Sequence, residues 1–262
     1  MVKFDFPLVI KANFCLTTTT MKKRAENVGI LGYGEVGQAI AKFYRRPKVR
    51  DLNRNDGLKD VEILHVCIPD SERFVSIVKK EINKIKPKLT IIHSTVAPGT
   101  TKKIGGNVVH SPVRGIHPKL YEGLKTFVKY IGTDNQKAGQ MAKKHLESLG
   151  IKTRVFTPST TTELGKLLDT AYYGLCIAFH GEMKRMCDTL HVNFDTVVTA
   201  FNSSYNQGYT KLGMPHVIRP VLRPPNPVIG GHCIIPNVRL LKKSFKSKAF
   251  DLILTYRPRK KK

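Results

Sequence analysis

Residues 28–37 read VGILGYGEVG, and this short stretch decides the fold of the 262-residue chain. Its first four, mostly apolar positions are typical of a buried strand, and Gly32, Gly34 and Gly37 follow at the spacing G-x-G-x-x-G. In this pattern the first glycine permits a tight turn, the second lets the backbone approach a phosphate, and the third lets strand and helix pack closely. The stretch therefore predicts a strand, a phosphate-binding loop and a helix, which open a dinucleotide-binding βαβ unit.

Two acidic residues near this loop bear on the ligand. Asp51 ends a candidate second strand at residues 48–52 and lies 19 residues after the first glycine of the loop. An acid at this distance binds ribose hydroxyls and favours NAD over NADP, although a plain surface carboxylate is the alternative. Glu35 lies in the loop itself, where a carboxylate is compatible with pyrophosphate only if it points away. With Tyr33 and Val36 it completes the predicted cofactor-binding loop.

Strands alternate with helices as far as residue 157, which predicts an α/β fold with a Rossmann-like, doubly wound parallel sheet. Further strands are expected at residues 62–68, 89–93, 108–109, 127–131 and 153–156, with helices at 36–44, 72–86 and 136–149. One connection is unusual, because only residues 53–60 separate the second strand from the third. A parallel crossover normally needs about a dozen residues. Either the intervening helix is reduced to a turn or the second strand is degenerate.

After Pro158 the pattern becomes helical. Apolar residues recur at helical spacing from 160 to 191, which predicts one long amphipathic helix, and the Ser/Thr run before it offers an N-cap. We expect a second helix at 194–204, an ordered loop at 206–232 and a last helix at 236–243. The chain then divides into an N-terminal extension at 1–20, an NAD-binding Rossmann domain at 21–157, a smaller all-α dimerisation and catalytic segment at 158–246, and a mobile basic tail at 247–262.

Composition narrows the class of protein. Hydrophobic residues make up 41% of the chain and charged residues 24%, which is ordinary for a globular domain. No apolar run approaches the ~20 residues of a membrane span, and the first twenty residues lack the order of a signal peptide, so we expect a cytoplasmic protein with no membrane partner. The five cysteines are widely spaced and form no CxxC pair, which favours neither a disulfide framework nor a metal site.

The net charge of +26 is extreme for a chain of this length, since 45 basic residues face 19 acidic ones. Such a field attracts polyanions, and it also attracts nucleotide cofactors and anionic sugar substrates. A solvated, lysine-rich surface is the alternative explanation. No recognised nucleic-acid motif accompanies the charge, so a nucleic-acid partner is allowed but not favoured.

A second glycine-rich stretch, VIGGHCIIPN at residues 228–237, carries the strongest candidate for chemistry. Its Cys233 follows two glycines and a histidine, whereas the other cysteines lie in apolar contexts. A cysteine thiolate is a strong nucleophile, and a nearby lysine favours that form. A nicotinamide site together with a cysteine nucleophile can oxidise an alcohol through a thiohemiacetal. His232 is expected to shape the loop, because no partner lies at metal-ligand spacing.

Several motifs occur in an order that resembles the UDP-glucose/GDP-mannose dehydrogenase family, from about residue 27 to about residue 245. They are the glycine loop, Ile68-Pro69, the stretch STVAPGT at 94–100, Ser111-Pro112, Lys166-Leu167 and Gly230-Gly231-His232-Cys233. The resemblance implies oxidation of a primary alcohol to a carboxylate in two NAD-dependent steps. It implies that Cys233 is the nucleophile, that Lys166 stabilises the oxyanion and that Thr95 positions water. It also implies a homodimer paired through the long helix, and it places four residues at the cofactor: Ile68, Pro69, Ser94 and Thr95.

The sequence departs from this family at four positions. Val113 stands where an acid usually follows Ser-Pro, and His117 stands where a second acid serves as a base. Thr170 replaces an asparagine one turn after the lysine, and Asn237 replaces an aspartate four residues after the cysteine. His117 can act as a general base near neutral pH, but a structural or surface histidine fits the sequence equally well.

Family members continue into a second Rossmann-like domain that closes over the nucleotide part of the substrate, whereas this sequence ends soon after the cysteine segment. We therefore expect a small or anionic alcohol, sugar derivative or nucleotide-sugar as substrate, with Arg114, Arg219 and Arg223 as candidate anion ligands. The leading hypothesis is an NAD-dependent dehydrogenase that acts through Cys233. The alternative is a catalytically impaired NAD-binding pseudoenzyme with a structural or nucleic-acid-associated role.

Overall fold

The computed structural model describes residues 27–115, 117–230 and 233–258. The predicted extension at 1–20, the role of His232 and the last four residues of the tail lie outside these ranges. Within them the strands are β1 (Val28–Leu31), β2 (Lys48–Asp51), β3 (Arg54–Asn55), β4 (Ile63–Val66), β5 (Leu89–Ile92), β6 (Val108–His110), β7 (Lys129–Thr133) and β8 (Thr153–Phe156). The helices are α1 (Glu35–Ala41), α2 (Phe74–Ile85), α3 (Thr100–Ile104), α4 (Leu120–Thr126), α5 (Gln136–Ser148), α6 (Thr160–Thr189), α7 (Phe201–Lys211), α8 (Ile234–Lys242) and α9 (Lys248–Thr255).

The strands form a single sheet in the order β3-β2-β1-β4-β5-β6-β7-β8, which confirms the Rossmann-like α/β fold. Successive residues of a strand face opposite sides of the sheet. Ile30 accordingly packs in a core with α1 and α5, and its neighbour Leu31 packs in a second core with α2. Both faces of the sheet are therefore covered by helices, as buried parallel strands require.

The sheet is not parallel throughout, and here the prediction is wrong. β7 runs antiparallel to β6, with Val109 opposite Thr133. Antiparallel neighbours need no full crossover between opposite ends of the sheet. The connection at residues 111–128 accordingly contains only a loop and the short α4.

The short connection after β2 is explained by β3. Asp51 pairs with Arg54 across a tight antiparallel hairpin, so a hairpin replaces the usual crossover helix. Leu58 and Val61 then bury their side chains against Gly29, where a Cβ atom would lie 3.0 Å from Val61 and 3.2 Å from Leu58. The second strand is thus genuine and the crossover is reduced, which is the first of the two alternatives.

The helical segment is larger and more regular than the sequence predicted. The expected loop at 206–232 is wrong in its first part, because a π-helical turn at Asp195–Ala200 leads directly into α7. The expected mobile tail is wrong as far as Thr255, because α9 packs on α6 and buries Ile253. α6 and α8 approach closely at Gly174, where a Cβ atom would lie 2.5 Å from Ile234.

The Ser/Thr run before α6 does not cap the helix as predicted. Ser159 occupies the N-cap position, but its hydroxyl donates to the Asp134 carboxylate at 2.5 Å. The start of α6 is thereby tied to the residue that follows β7. Among the described residues, no helix combines the length and the apolar character needed to cross a bilayer.

Candidate active site

A cavity of about 750 Å³ opens where the carboxyl ends of β4, β5 and β6 meet α6 and α8. All five residues that the sequence singled out for catalysis line it: Thr95, His117, Lys166, Cys233 and Asn237. Four of the predicted cofactor-binding residues line it as well: Val36, Ile68, Pro69 and Ser94. Residues from both halves of the chain thus meet in one space, as ligand sites of open α/β sheets commonly do at the carboxyl ends of the strands.

The exposed Cys233 lies immediately before α8, at its N-cap position. Its Sγ atom is 3.9 Å from Nε2 of His117, and Nδ1 of the same ring hydrogen-bonds the Glu35 carboxylate. A carboxylate only accepts, so Nδ1 carries the proton and Nε2 of the neutral ring is free to accept from the thiol. The Glu35 side chain therefore reaches the histidine instead of a phosphate, a contact that the sequence did not predict.

Lys166 lies in the second turn of α6, on the cavity wall. Burial lowers the pKa of its ammonium group, and the nearby Cys233 and Asp169 oppose that shift. A partly desolvated cation beside a nucleophile can stabilise negative charge on a reacting oxygen. The role that the family resemblance implies for this lysine stays a prediction.

Glu163 holds the Thr95 loop against Lys166. Its carboxylate is fully buried and accepts hydrogen bonds from the Gly99 amide at 2.5 Å, the Thr101 amide at 2.8 Å and the Thr101 hydroxyl at 2.7 Å. Glu163 and Lys166 are three residues apart on α6 and so lie on neighbouring turns of one face. The carboxylate therefore fixes the distance between the lysine and the loop after β5.

Two further contacts position the Ser94–Thr95 pair. The Ser94 hydroxyl donates to the Ile68 carbonyl at 2.6 Å, which joins the loops after β4 and β5. The buried His110 ring bridges the Thr162 hydroxyl at 2.8 Å and the Ser94 carbonyl at 3.1 Å. Hydrogen bonds thus link two loops of the sheet to the start of α6.

The substituted family positions have different surroundings. Asn237 is buried one turn after Cys233 and lines the cavity, as does Val113. Thr170 is not among the lining residues, and its hydroxyl donates back to the Lys166 carbonyl at 3.1 Å. The polar replacement on α8 can therefore face a ligand, whereas the one on α6 is used within the helix.

The glycine loop has the shape that a dinucleotide needs. Gly32 has φ +93°, and a Cβ atom there would lie 2.8 Å from the Cys67 backbone. A Cβ atom on Gly37 would lie 2.1 Å from the Gly32 carbonyl, whereas one on Gly34 would meet nothing within 4 Å. The first and third glycines thus serve packing, and the second leaves open the space through which a phosphate would approach.

The remaining predicted cofactor residues lie outside the cavity lining. Tyr33 stacks under the Arg54 guanidinium, 5.1 Å from ring centroid to Cζ, and Asp51 is exposed at the end of β2. Arg54 is itself held by Asp56, with a shortest N–O distance of 2.7 Å. The binding of ribose hydroxyls by Asp51 therefore stays a prediction.

None of the three predicted anion ligands is among the residues that line this cavity. Arg114 stacks 4.5 Å from the Tyr130 centroid, Arg219 stacks 4.2 Å from the Tyr205 centroid, and Arg223 pairs with Asp195 at 2.7 Å. The cations that line the cavity besides Lys166 are Arg239 and Lys243, one helical turn apart near the end of α8. Their spacing of four residues was the only signal in the sequence.

A second thiol in the cavity wall differs chemically from Cys233. Burial raises the pKa of Cys67 to about 12, so this cysteine remains a neutral thiol under ordinary conditions. Thiolates, not thiols, react with electrophiles. Exposure and a histidine partner therefore single out Cys233 as the reactive sulfur of this cavity.

A chain of buried rings runs from α5 through the sheet to the cavity wall. Tyr44 Oη hydrogen-bonds Nε2 of both His145 (2.7 Å) and His65 (2.8 Å), and His65 Nδ1 lies 2.8 Å from His93 Nε2. His93 Nδ1 lies 3.0 Å from the Ser111 carbonyl, which can only accept. For neutral rings, this fixes the direction of every hydrogen bond in the chain. His93 donates to the Ser111 carbonyl, His65 donates to His93, Tyr44 donates to His65, and His145 donates to Tyr44.

Comparisons with known proteins identify the family. Residues 160–258 match the central domain of the UDP-glucose/GDP-mannose dehydrogenase family. The chain belongs to this family. The family inferred from the ordered motifs is thereby confirmed.

Relatives of this family member are nucleotide-sugar dehydrogenases. A UDP-N-acetyl-D-mannosamine dehydrogenase of Methanococcus maripaludis is 30% identical over 205 residues, which cover 71% of this chain and 45% of that relative. The enzyme of that name from Pyrococcus horikoshii is 24% identical over 252 residues, with coverages of 86% and 56%. The family member thus spans about half the length of these curated relatives.

Solved structures agree on the fold. The native UDP-N-acetyl-mannosamine dehydrogenase of Staphylococcus aureus superposes with a TM-score of 0.66 at 18% identity and covers 87% of this chain and 66% of that one. The Pyrococcus horikoshii enzyme superposes with a TM-score of 0.62 at 23% identity, with coverages of 85% and 54%.

Proposed function

We propose that this family member binds NAD and oxidises an alcohol of a sugar-like or anionic substrate through a thiohemiacetal on Cys233. The observation that carries the proposal is the meeting of Cys233, Lys166 and His117 in one cavity beside the glycine loop. The coarser statement, a dehydrogenase-family protein, follows from its relatives.

The residues present fit a dinucleotide. The open face of Gly34 would admit the pyrophosphate, while Ile68, Pro69 and Ser94 would form the wall for the nicotinamide half. Asp51 would bind the adenosine ribose. When bound, NAD would supply the hydride acceptor for alcohol and thiohemiacetal oxidation.

The side chains of this chain would divide the remaining work. His117 would take the Cys233 proton, so that the thiolate adds to an aldehyde carbon while Lys166 stabilises the oxygen that becomes negative. His117 would pass the Cys233 proton to solvent before the last step. It would then take a proton from a water molecule held by Thr95 while that water forms a bond to the thioester carbon. The carbon–sulfur bond would break, His117 would return the proton to the sulfur, and a carboxylic acid would leave and ionise. The amide of Asn237 would orient the substrate beside the sulfur.

The substrate class is inferred from charge. Arg239 and Lys243 lie along α8, which leads away from Cys233 at ~1.5 Å per residue. They could therefore bind a carboxylate or phosphate ~9–15 Å from the sulfur, as a sugar acid or a nucleotide-sugar would require. The relatives are named for a nucleotide-sugar substrate, which fits the same chemistry.

We propose a homodimer paired through α6, because this helix exposes a stripe of large apolar residues. We also keep the cytoplasmic location as a proposal. We also keep the division into a nucleotide-binding part at 21–157 and a helical part at 158–246 as a proposal. The alternative, a catalytically impaired NAD-binding pseudoenzyme with a structural or nucleic-acid-associated role, is favoured by the net charge of +26 and by the substituted family positions.

Cofactor binding can be tested with a matched pair of glycine substitutions. Gly34→Val should fold normally, since no atom lies within 4 Å of the new Cβ position, but it should weaken NADH binding at least about tenfold by filling the phosphate approach. Gly208→Val on α7, where space is equally open, should bind NADH like the unsubstituted chain. NADH fluorescence titration on nucleic-acid-free protein measures both.

The nucleophile can be tested in the same preparation. Iodoacetamide should label Cys233 first, and NAD should slow that labelling. The control Cys176→Ser should change neither the rate at which Cys233 is labelled nor the protection by NAD. Absence of NADH binding together with tight, salt-sensitive RNA or DNA binding would overturn the oxidoreductase proposal.

A further inference from the structure

The contact of Glu35 with His117 has no part in hydride transfer, yet it completes a second kind of catalytic unit. We propose that Cys233, His117 and Glu35 form a nucleophile, base and carboxylate triad that hydrolyses small activated esters and thioesters without any dinucleotide. The unit shares Cys233 and His117 with the proposed oxidation, but it does not depend on NAD, so ester hydrolysis can be measured separately from cofactor binding.

The geometry follows the general order of such triads. Nδ1–H of His117 donates to the Glu35 carboxylate, which fixes the ring tautomer and its orientation. Nε2 is then an acceptor 3.9 Å from the Cys233 sulfur, a looseness that is ordinary before a substrate is bound. The three residues come from the start of α1, the loop after β6 and the N-cap of α8, so the fold itself brings them together.

Groups that can stabilise an oxyanion flank the sulfur. The half-buried Lys166 ammonium lies close enough to Cys233 for their charges to interact. The amides of Ile234 and Ile235 belong to the first turn of α8, whose N–H groups have no acceptor within the helix. When Cys233 attacks a carbonyl carbon, the oxygen that becomes negative thus has a cation and backbone donors within the same wall of the cavity.

The reaction balances without a redox partner. His117 takes the thiol proton, the sulfur forms a bond to the ester carbonyl carbon, and the carbon–oxygen bond breaks as the leaving alkoxide receives that proton. Water then gives a proton to His117 and forms a bond to the thioester carbon. The carbon–sulfur bond breaks, the proton returns to the sulfur, and a carboxylic acid leaves.

The test is the hydrolysis of 4-nitrophenyl acetate in the absence of nicotinamide dinucleotides. We expect a burst of about one nitrophenolate per chain followed by steady turnover, with the acetyl group found on Cys233 by mass spectrometry. Cys233→Ser should lose the burst, whereas Cys176→Ser should keep it. Acetylation confined to surface lysines, or a burst that survives Cys233→Ser, would overturn the proposal.

The roles of the base and of the positioning carboxylate are distinguished by how much each substitution slows the burst. His117→Gln should slow the burst about a hundredfold. Glu35→Gln should slow it about tenfold at unchanged amplitude, and Glu35→Asp should restore part of the rate, because the carboxylate acts by orienting the ring. His216→Gln and Glu122→Gln are the matched exposed controls and should change nothing. Equal burst rates in Glu35→Gln and the unsubstituted chain would refute the role of Glu35.

The two activities fail in distinguishable ways. If the triad proposal is wrong, the burst is absent while NADH binding and its loss in Gly34→Val remain. If the oxidation proposal is wrong, NADH does not bind while the burst and its dependence on His117 remain.

Discussion

At the scale of single residues, Glu163 is the side chain on which the site depends without taking part in it. Its buried carboxylate accepts three hydrogen bonds from Gly99 and Thr101. Glu163→Ala leaves these donors without a partner and should lower the free energy of unfolding by about 3 kcal/mol. Urea denaturation measures the loss, and Glu122→Ala on the exposed face of α4 is the control. Equal midpoints for the two variants would contradict the anchoring role.

Residues inside ordered motifs could be predicted from the sequence, and those defined by distant contacts could not. Cys233 and Lys166 were found because glycine spacing and motif order are local properties. Glu35 was assigned to the cofactor, because its partner His117 is 82 residues away and no pattern links the two. Arg239 and Lys243 escaped notice for the same reason, since only the packing of α8 turns them toward the cavity.

At the scale of elements, the histidines buried between β4, β5, β6 and the helices should make stability depend on pH. Burial lowers the pKa of His65 and His93 well below the ordinary value, and that of His110 to about 3. These rings stay neutral in the folded protein but take up protons in the unfolded chain below about pH 6.5. The free energy of unfolding is therefore highest above that pH. It falls as the pH is lowered, by about 2 kcal/mol at pH 5 for each such histidine.

Urea midpoints at pH 7.5 and pH 5.0 measure this dependence. His110→Gln should lower stability at both pH values but reduce the difference between them, because one proton-binding site is removed from the unfolded chain. His216→Gln, at an exposed position, should leave the difference as it is. An unfolding free energy that does not change between these pH values would rule out neutral buried rings.

The elements themselves show which sequence signals were sufficient. β1, the glycine loop and α1 follow from contiguous residues and were predicted closely. The direction of β7 depends on where the chain returns after α4, which a local pattern does not record. α9 did carry a signal, because Ser247 caps it by accepting from the Ala249 amide at 3.2 Å, but the surrounding charge suggested a solvated tail.

At the scale of the whole molecule, two helices leave apolar stripes in solvent. On α6 the exposed residues Tyr172, Phe179 and Met186 recur every seven positions, which places them on one face. On α7, Phe201 and Tyr205 are also exposed, at a spacing of four. Exposed apolar stripes of this kind can mark association sites.

The dimer proposal can therefore be tested with paired charges on that stripe. Tyr172→Glu combined with Phe179→Glu should convert a dimer into a folded monomer, because two carboxylates per chain would be buried without partners in an interface of more than about 1,000 Å². Leu52→Glu, at a position 97% exposed near β2, is the control and should leave the dimer intact. Sedimentation equilibrium reads out the mass of each species. A monomeric unsubstituted chain at micromolar concentration would overturn the dimer proposal, and a doubly substituted chain that remains dimeric would place the contact away from α6.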